Sequence, residues 1–446
     1  MAVSQPVPSD AGVPDPATAR KVLLVCLQVA DLLLDAGMSA NDVVVVLLRI
    51  THAYRLGSVH IDLTYTAVTM SYYPQGYAAP LTILRVVQPG RPDYDKARRV
   101  DDLVHRITRG LPIDAAVRDF DDIWYSRRRH PWWVSMVGNA GVGVGATLLF
   151  TTSWQVVVVT FLLGCFVDRL VDRLDERRVP PLFSQAASAL LITLVAVGAS
   201  AAGRHGIPLV AGLDPTLVVV GGIVMLVAGM LVVGAVQDAI DQFYVTASAR
   251  LLEVAMRTAG IVVGIVGALH LANVLGIGAH VSADPVALGP VPAQLLGAFV
   301  LSACWAIYGQ AGWVAALLTG AVGVLGWVGY LATVATVGEV PANAVGALLV
   351  GFVSWLAVRR SSVPSFTLVQ AGLLPLVPGL ALYEGLLQLV GTQDTPGNTA
   401  AGEATLGLAL GVALGIAGGA TLGTYLGRPV VSQMRRIRDV TRARRS

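Results

Sequence analysis

The pattern of apolar and polar positions changes near residue 130. Apolar and polar residues alternate over short distances before this point, and long apolar runs dominate from Trp132 onward. Crossing the hydrocarbon core of a bilayer takes about 20 apolar residues in a helix. This criterion predicts ten spans, which begin near Trp132, Ser153, Phe183, Thr216, Leu252, Ala293, Gly312, Ala342, Phe366 and Ala404. A soluble domain therefore precedes a polytopic, α-helical membrane domain.

The soluble region predicts a small α+β domain. Its first two apolar patterns have helical spacing, and Ser39 with Asp42 resembles a capping box at the start of the second helix. β-branched, alternating segments then predict strands, and helical periodicity returns before Gly110, which is a plausible helix stop. The predicted helices are Lys21–Gly37, Ala40–Leu56, Lys96–Arg109 and Ile113–Tyr125, and the predicted strand segments are Ser58–Tyr73 and Leu81–Val87.

A short apolar pattern occurs twice in the membrane region. Gly222–Gly229 returns later as Gly372–Gly379, and the same offset in the numbering places Glu253 on Glu403. If each copy contains five spans, the odd number requires the second copy to be inverted in the membrane relative to the first. We therefore expect two inverted five-helix repeats.

These patterns divide the chain into five regions. The polar, Pro-rich N-terminus is typical of disordered sequence and does not have the form of a cleavable signal peptide. We expect a disordered segment at 1–17, a cytosolic α+β domain at 18–130, the first repeat at 131–280, the second repeat at 290–428, and a basic cytosolic tail at 429–446.

Composition and charge agree with a membrane protein. Only 13% of the residues are charged and the mean hydropathy is +0.68, whereas about 25% of an average soluble domain is charged. With the N-terminus inside, the arginine clusters fall on the cytoplasmic side of the ten-span arrangement, and only Arg204 falls outside. Both termini are therefore expected in the cytoplasm, and the basic tail could also contact lipid headgroups.

The ninth predicted span contains a break. Pro375 and Pro378 each remove a backbone donor within an apolar stretch, and Gly379 follows directly. Unwound backbone at this depth is tolerated where it lines a cavity, and it offers amides and carbonyls to an amino-acid ligand. A simple packing kink is the alternative. The corresponding position of the first repeat is Gly229, which lacks the prolines, so we expect that helix to be more regular.

Polar side chains within apolar segments are further candidates. Glu384 is a candidate proton carrier or partner for a substrate ammonium group, because a carboxylate is costly to bury in a membrane. Asn139 and Gln370 are candidate substrate ligands, although such residues commonly bond a neighbouring helix. The candidates for gating or proton coupling are Asp238, Asp241, Glu253, Arg257 and Glu403, with an ordinary intrahelical pair as the alternative for Glu253 and Arg257.

Other kinds of chemistry have little support in the sequence. Neither Lys21 nor Lys96 follows a glycine, so no nucleotide-binding P-loop is predicted. His52, His60 and Asp62 match no metal-ligand spacing, and three distant cysteines imply neither a metal cluster nor disulfides. We expect no cofactor, no metal, no nucleic-acid partner and no enzymatic activity.

Three groups of residues resemble the bacterial threonine/serine exporter family. They are Leu32–Asp42 with Ala53–Gly57, Gly222–Asp238 with Ser248–Glu253, and Leu374–Gly385. The resemblance implies a cytosolic domain before ten spans in the bacterial cytoplasmic membrane, and export of threonine and serine, with protons as the coupling partner. The chain departs from the family pattern at Ala228, where proline is common, and at Ala247, where glycine is common.

Several alternatives stay open at this stage. Some relatives with this fold are linked to succinate export, so a dicarboxylate is an alternative cargo. A membrane-bound hydrolase acting through the cytosolic domain and a passive channel are weaker alternatives. A homodimer is possible, and the sequence does not settle the oligomeric state.

Overall fold

The computed structural model describes residues 15–74, 79–87, 90–226, 229–277, 286–358, 363–390 and 398–443. Its helices are α1 (Pro16–Asp35), α2 (Ala40–Ala53), α3 (Tyr94–Ile107), α4 (Ile113–Trp124), α5 (Trp132–Leu148), α6 (Trp154–Glu176), α7 (Pro181–Arg204), α8 (Pro215–Leu226), α9 (Gly229–Ile240), α10 (Tyr244–Val274), α11 (Val291–Tyr308), α12 (Trp313–Val337), α13 (Glu339–Ala357), α14 (Ser365–Gly372), α15 (Gly379–Val390) and α16 (Thr399–Ala443). The strands are β1 (Val59–Thr64), β2 (Ala67–Tyr72) and β3 (Leu81–Val86). Short 3-10 turns occupy Pro208–Val210 and Leu374–Leu376.

The chain forms two compact units. The first unit contains the described residues up to Arg129 together with Gln237–Arg250 and Gly309–Ala311. The second unit contains the remaining described residues. The N-terminal region thus forms one unit with the connection between α9 and α10, which the sequence assigns to the membrane region.

The first unit is a helix-covered antiparallel sheet. β2 pairs with both neighbours, and the hairpin between β1 and β2 has only Tyr65 and Thr66 in its turn. The segment Ser58–Tyr73, predicted as one strand region, is therefore two strands. α1 packs against β2 and β3, and the buried side chains of β2 are Val68, Met70 and Tyr72.

Local sequence signals account for the ends of these helices. The hydroxyl of Ser39 accepts a hydrogen bond from the Asp42 amide at 3.2 Å and lies 3.0 Å from the Asp42 carboxylate, so the predicted cap at the start of α2 is present. Gly110 has a φ of +100° and ends the turn after α3, as predicted.

The second unit is built from helices of membrane-spanning length. Among the described residues, α6, α7, α10, α11, α12, α13 and residues 399–427 of α16 are long and apolar enough to cross a membrane. Two bent pairs, α8 with α9 and α14 with α15, raise the number of candidate spans to nine. α5 has 17 residues and is one residue shorter than α11. The chain is a polytopic membrane protein.

Helix starts in the two halves of the second unit correspond. α5 and α6 precede α11 and α12 by the same interval of sequence, and α8 and α9 precede α14 and α15 by another shared interval. The intervals from α7 to α13 and from α10 to α16 lie between these two. Glu253 is, however, the tenth residue of α10 whereas Glu403 is the fifth of α16, so the helix starts do not support their predicted equivalence.

Glycines make the closest helix contacts in both halves. Gly260 and Gly264 of α10 lie against backbone carbonyl oxygens of α7, and Gly415 and Gly419 of α16 lie against those of α13. Small residues permit this approach, which increases the area of packed backbone in a lipid environment. α16 also continues to Ala443, so the basic tail predicted as a separate segment begins as part of this helix.

The second segments of the two bent pairs pack with opposite halves of the unit. On α9, Val232 and Val236 belong to an apolar core that includes Val350 of α13 and Ile416 of α16. On α15, Leu387 belongs to the other core, whose members include Ile192, Val219 and Ile265 from α7, α8 and α10. Leu387 of α15 thus packs with first-half helices. The core that contains α9 is shared by both halves, because Val142 of α5 and Val254 of α10 also belong to it.

Candidate functional site

The bend between α14 and α15 lies where the prolines predict a break. The axes of the two helical segments differ by 54°. Pro375 lies in the 3-10 turn, Val377 is extended, and α15 begins at Gly379. Because Pro375 has no N–H, it cannot donate the helical hydrogen bond to the Ala371 carbonyl oxygen. The Gly379 amide bonds back to the Val377 carbonyl at 2.8 Å, which closes a tight turn before the new helix.

A second bend separates α8 from α9, although the one proline of these two helices, Pro215, lies at the start of α8 and far from the bend. The axes differ by 45°, and α9 begins at Gly229, the position that corresponds to Gly379 in the repeated pattern. Residues 227 and 228 lie outside the described residues. The first-half pair, without prolines at its break, is bent by 45° and the second-half pair by 54°, so the first half is the less bent of the two. Proline is not required for the bend.

Two helices approach this first bend closely. A Cβ added to Gly143 of α5 or to Gly164 of α6 would lie 2.9 Å from the sulfur of Met225, one residue before the end of α8. The glycines therefore allow α5 and α6 to pack directly against the helix end. Asn139 lies one helical turn before Gly143, and Asp168 lies one turn after Gly164.

Asn139 and Asp168 form a buried polar pair between α5 and α6. Nδ2 of Asn139 donates to Oδ1 of Asp168 at 3.0 Å, and Asp168 is only 1% exposed. Nη2 of Arg169 lies 2.5 Å from Oδ2 of Asp168 and also pairs with Asp172. The predicted ligand Asn139 thus bonds a neighbouring helix, and its partner is a buried carboxylate.

Asp168 is a candidate that the sequence reasoning missed. Arg169 and Arg173 were assigned to a cytoplasmic loop, which removed Asp168 from the membrane span, whereas α6 continues to Glu176. The available signal was a carboxylate between the apolar residues Val167 and Leu170. The guanidinium of Arg169 lies 4.9 Å from the ring centre of Trp132, which anchors the cation at the start of α5.

Glu384 lies on α15 beyond the second bend and is 8% exposed. Within the described ranges, no side chain makes a hydrogen bond or ion pair with its carboxylate. One turn further, Gln388 accepts a hydrogen bond from the Thr405 hydroxyl of α16 at 2.8 Å. A buried carboxylate that finds no partner in the described part of an apolar bundle is a strong candidate for binding a proton or a cation.

Asp238 and Asp241 lie in the first unit, with the residues of the N-terminal region. Oδ1 of Asp238 accepts from the Ala40 amide at 2.9 Å, and Oδ2 lies 3.0 Å from Nη1 of Arg250. Asp241 lies beyond the end of α9 and accepts from the Asn41 side chain. Burial, together with the nearby charge of Asp42, raises the pKa of Asp241, and the hydrogen bond from Asn41 partly opposes this rise.

Of the remaining predicted residues, Glu253, Arg257 and Glu403 lie outside the bent helix pairs, whereas Gln370 lies on α14 about one turn before the second bend. Glu253 and Arg257 form an intrahelical ion pair at 2.6 Å, as in the simpler of the two interpretations. Glu403 is exposed near the start of α16, and Gln370 is partly buried on α14. No group of three potential metal ligands occurs among the residues that the structure describes.

These features define a class of protein. The protein has several long apolar helices and two bent helix pairs, and buried polar groups lie beside both bends. This combination is typical of membrane transporters.

Comparison with known proteins gives the family. A model described as "Putative threonine/serine exporter" matches residues 24–272, and one described as "Threonine/Serine exporter, ThrE" matches residues 294–424. The chain belongs to the threonine/serine exporter family.

Two curated relatives agree with this assignment. A protein of Mycobacterium tuberculosis named "Probable threonine/serine exporter" is 32% identical over 391 residues, which cover 86% of this chain and 72% of the relative. A "Threonine/serine exporter" of Corynebacterium glutamicum is 28% identical over 394 residues, covering 86% and 79%. No solved structure matches the chain.

Proposed function

We propose that this protein exports threonine and serine across the bacterial cytoplasmic membrane, in exchange for protons, by alternating access. The observation that carries the proposal is the pair of bent helices, each of which restarts at a glycine, in a chain that belongs to the exporter family. This makes the protein a transporter and not an enzyme.

The bends supply groups suited to an amino-acid substrate. The first turn of α15 has backbone amides without helical acceptors, which favour a carboxylate, and the Ala371 carbonyl oxygen lacks its helical donor and suits an ammonium group. We assign Pro375, Pro378 and Gly379 to positioning these groups in one half, and Gly229 to the matching position in the other. Asn139 and Gln370 complete the proposed ligand set.

Glu384 is the proposed proton carrier. Glu384 is nearly fully buried, which makes its ionised form costly. A conformational change that admits water to Glu384 therefore favours release of the proton, and one that excludes water favours its binding. Asp168 is buried on the opposite half of the unit and already has an amide and a guanidinium as neighbours. Of the two carboxylates, Glu384 is therefore better suited to exchange its proton during the cycle.

Packing between α5 and α11 supports the inverted repeat. A Cβ at Gly138 would lie 2.9 Å from the Tyr308 amide nitrogen, and one at Gly297 would lie 3.0 Å from the Leu149 amide nitrogen. Adding the interval between the starts of α5 and α11 to Gly138 gives Gly297, and subtracting it from Tyr308 gives Leu149. The two contacts are therefore equivalent, with the two helices exchanged. Such reciprocity is expected of antiparallel helices related by a two-fold axis.

This symmetry leads us to count α5 as a full span and each bent pair as one, which gives ten spans in repeats 131–280 and 290–428. The positive-inside rule then assigns both termini to the cytoplasm.

Counterflow of radiolabelled threonine in proteoliposomes tests the proposal. We expect saturable exchange that serine competes with and that an imposed pH gradient accelerates. Exchange with succinate alone would replace the proposed cargo by a dicarboxylate, and threonine exchange indifferent to the gradient would remove the proton from the mechanism.

A further inference from the structure

A buried ion pair holds the corner between α9 and α10. Asp238 is the tenth residue of α9, and Arg250 is the seventh residue of α10. Their side chains are 0% and 6% exposed and approach to 3.0 Å. The pair therefore ties the second segment of the first bent helix to the helix that follows it.

A neutral polar pair holds the matching corner in the other half. Gln388 is the tenth residue of α15, and Thr405 is the seventh residue of α16. The Thr405 hydroxyl lies 2.8 Å from the Gln388 side-chain oxygen and 3.0 Å from the Ala401 carbonyl oxygen of its own helix, and it shares its one hydrogen between these two acceptors. The same two helix positions thus carry a cross-helix polar contact in both halves. Different residue types at these positions conceal the correspondence in the sequence.

We propose that these two pairs are the latches of the two gates: Asp238–Arg250 closes the cytoplasmic gate, and Gln388–Thr405 closes the external gate. This inference rests on the proposed alternating-access function and its membrane orientation. In that cycle the second segment of one bent helix moves relative to the next helix while the other corner stays closed. A contact across each corner sets the population of the corresponding open state.

Residues of the cytosolic region reinforce the cytoplasmic latch. Asp238 accepts from the Ala40 amide at the start of α2, where the helix dipole also favours a negative charge. Nη2 of Arg250 lies 3.4 Å from the Met38 carbonyl oxygen, and its guanidinium lies 5.9 Å from the Tyr65 ring centre. The cytosolic region is thus a structural part of the cytoplasmic gate, which gives it a role in transport itself.

Thiol accessibility at the second bend provides the test. Val377→Cys places a thiol in the extended residue before α15, and a membrane-impermeant maleimide is applied separately to each face of oriented membrane vesicles. Asp238→Asn keeps an acceptor for the Ala40 amide but removes the charge. Thr405→Val keeps the shape of the side chain but removes the hydroxyl. Protein with only the native cysteines gives the background.

The two variants should shift labelling in opposite directions. Thr405→Val should raise external labelling about fivefold, the change expected from loss of one hydrogen bond, and should lower cytoplasmic labelling. Asp238→Asn should raise cytoplasmic labelling and lower external labelling. Adding Arg250→Gln to Asp238→Asn creates a neutral pair like that of the other half and should restore labelling towards the wild-type ratio.

Matched controls separate gating from general disturbance. Thr424→Val removes a hydroxyl from the same helix that bonds only a backbone carbonyl nearby, and Asp119→Asn removes a charge from a more exposed ion pair with Arg106. Neither control should alter the labelling ratio. A shift in the same direction for both latch variants, or in neither, overturns the proposal. Labelling requires no substrate, so failure of threonine exchange is recorded separately.

Discussion

Gly419 of α16 lies directly against the backbone carbonyl oxygen of Ala344 on α13, with no room for a Cβ between them. The neighbouring Gly418 has no atom within 4 Å of the position that its Cβ would occupy. Replacing each of these adjacent glycines by alanine therefore separates the effect of close helix packing from the intrinsic helix preference of alanine.

We expect Gly419→Ala to destabilise the protein by about 1–3 kcal/mol, because a rigid backbone atom must move to admit the methyl group. Gly418→Ala should be neutral or slightly stabilising, since alanine favours helix over glycine by about 1 kcal/mol. Thermal unfolding in detergent measures both. Equal effects of the two substitutions would show that close packing of α13 and α16 contributes little.

Glu384→Gln should separate exchange from proton coupling. The amide mimics the protonated carboxyl and cannot release a proton, so threonine counterflow should continue while flux driven by a pH gradient falls at least about tenfold. Glu176→Gln, at the exposed end of α6, is the control and should leave both activities unchanged. If gradient-driven flux survives in Glu384→Gln, another group carries the proton.

Pro378→Ala should make the protein more stable and less active. Alanine restores a backbone donor and removes a ring that clashes with the preceding turn, so α15 can extend towards α14. Unfolding temperature should rise while the rate of threonine exchange falls. Pro341→Ala is the control, because that proline lies in the first turn of α13, where proline costs little. Full exchange activity in Pro378→Ala would reduce the break to a packing kink.

The N-terminal region contains a carboxyl group, Asp35, whose ionisation should make stability depend on pH. Burial raises the pKa of Asp35 to about 6 from 3.8, the charge of Asp31 adds to this rise, and the hydrogen bond from the Gly90 amide opposes it. Because the folded state disfavours the ionised form, the group is most compatible with folding below pH 4, and stability falls as pH rises through about 6.

Asp35→Asn should therefore stabilise the protein at pH 7.5, and the gain should shrink as pH approaches 4. Solvent screening of this half-buried group limits the gain to about 1 kcal/mol. Asp114→Asn provides a contrast, because a hydrogen bond and charge from Lys21 lower the pKa of Asp114, so its replacement should be slightly destabilising at pH 7.5. Unfolding in detergent across this pH range measures both effects.

Much of the membrane architecture follows from the pattern of apolar residues along the sequence. Apolar runs placed helix starts such as Trp132 and Phe366 within one residue of α5 and α14, because lipid imposes the same length and composition on every span. The runs predicted α10 and α16 too late, since a charged residue, Arg250 or Glu403, lies within the first seven residues of each helix. The second bend was also predictable, because proline acts through its own ring and missing donor.

Pairing between distant positions was not predictable in the same way. The sequence indicates Asp238 as a candidate for gating or proton coupling, but nothing near it in the sequence identifies Arg250 or Ala40 as its neighbours. The bend before Gly229 has no proline at its break, and the contacts of Gly143 and Gly164 with Met225 beside it join residues that are distant in the sequence. Side-chain partners depend on the folded chain, and apolar periodicity carries no information about them.

The position of α15 in a core of first-half helices has a consequence for biosynthesis. When a ribosome has delivered only the first half to the membrane, the core around Ile192 and Val219 still lacks Leu387, which is synthesised only with the second half. We therefore expect this core to remain incompletely packed until α15 is inserted into the membrane. Maturation is thus a joint event of both halves, and a chain truncated before residue 379 should be cleared by membrane proteases instead of accumulating as a half-transporter.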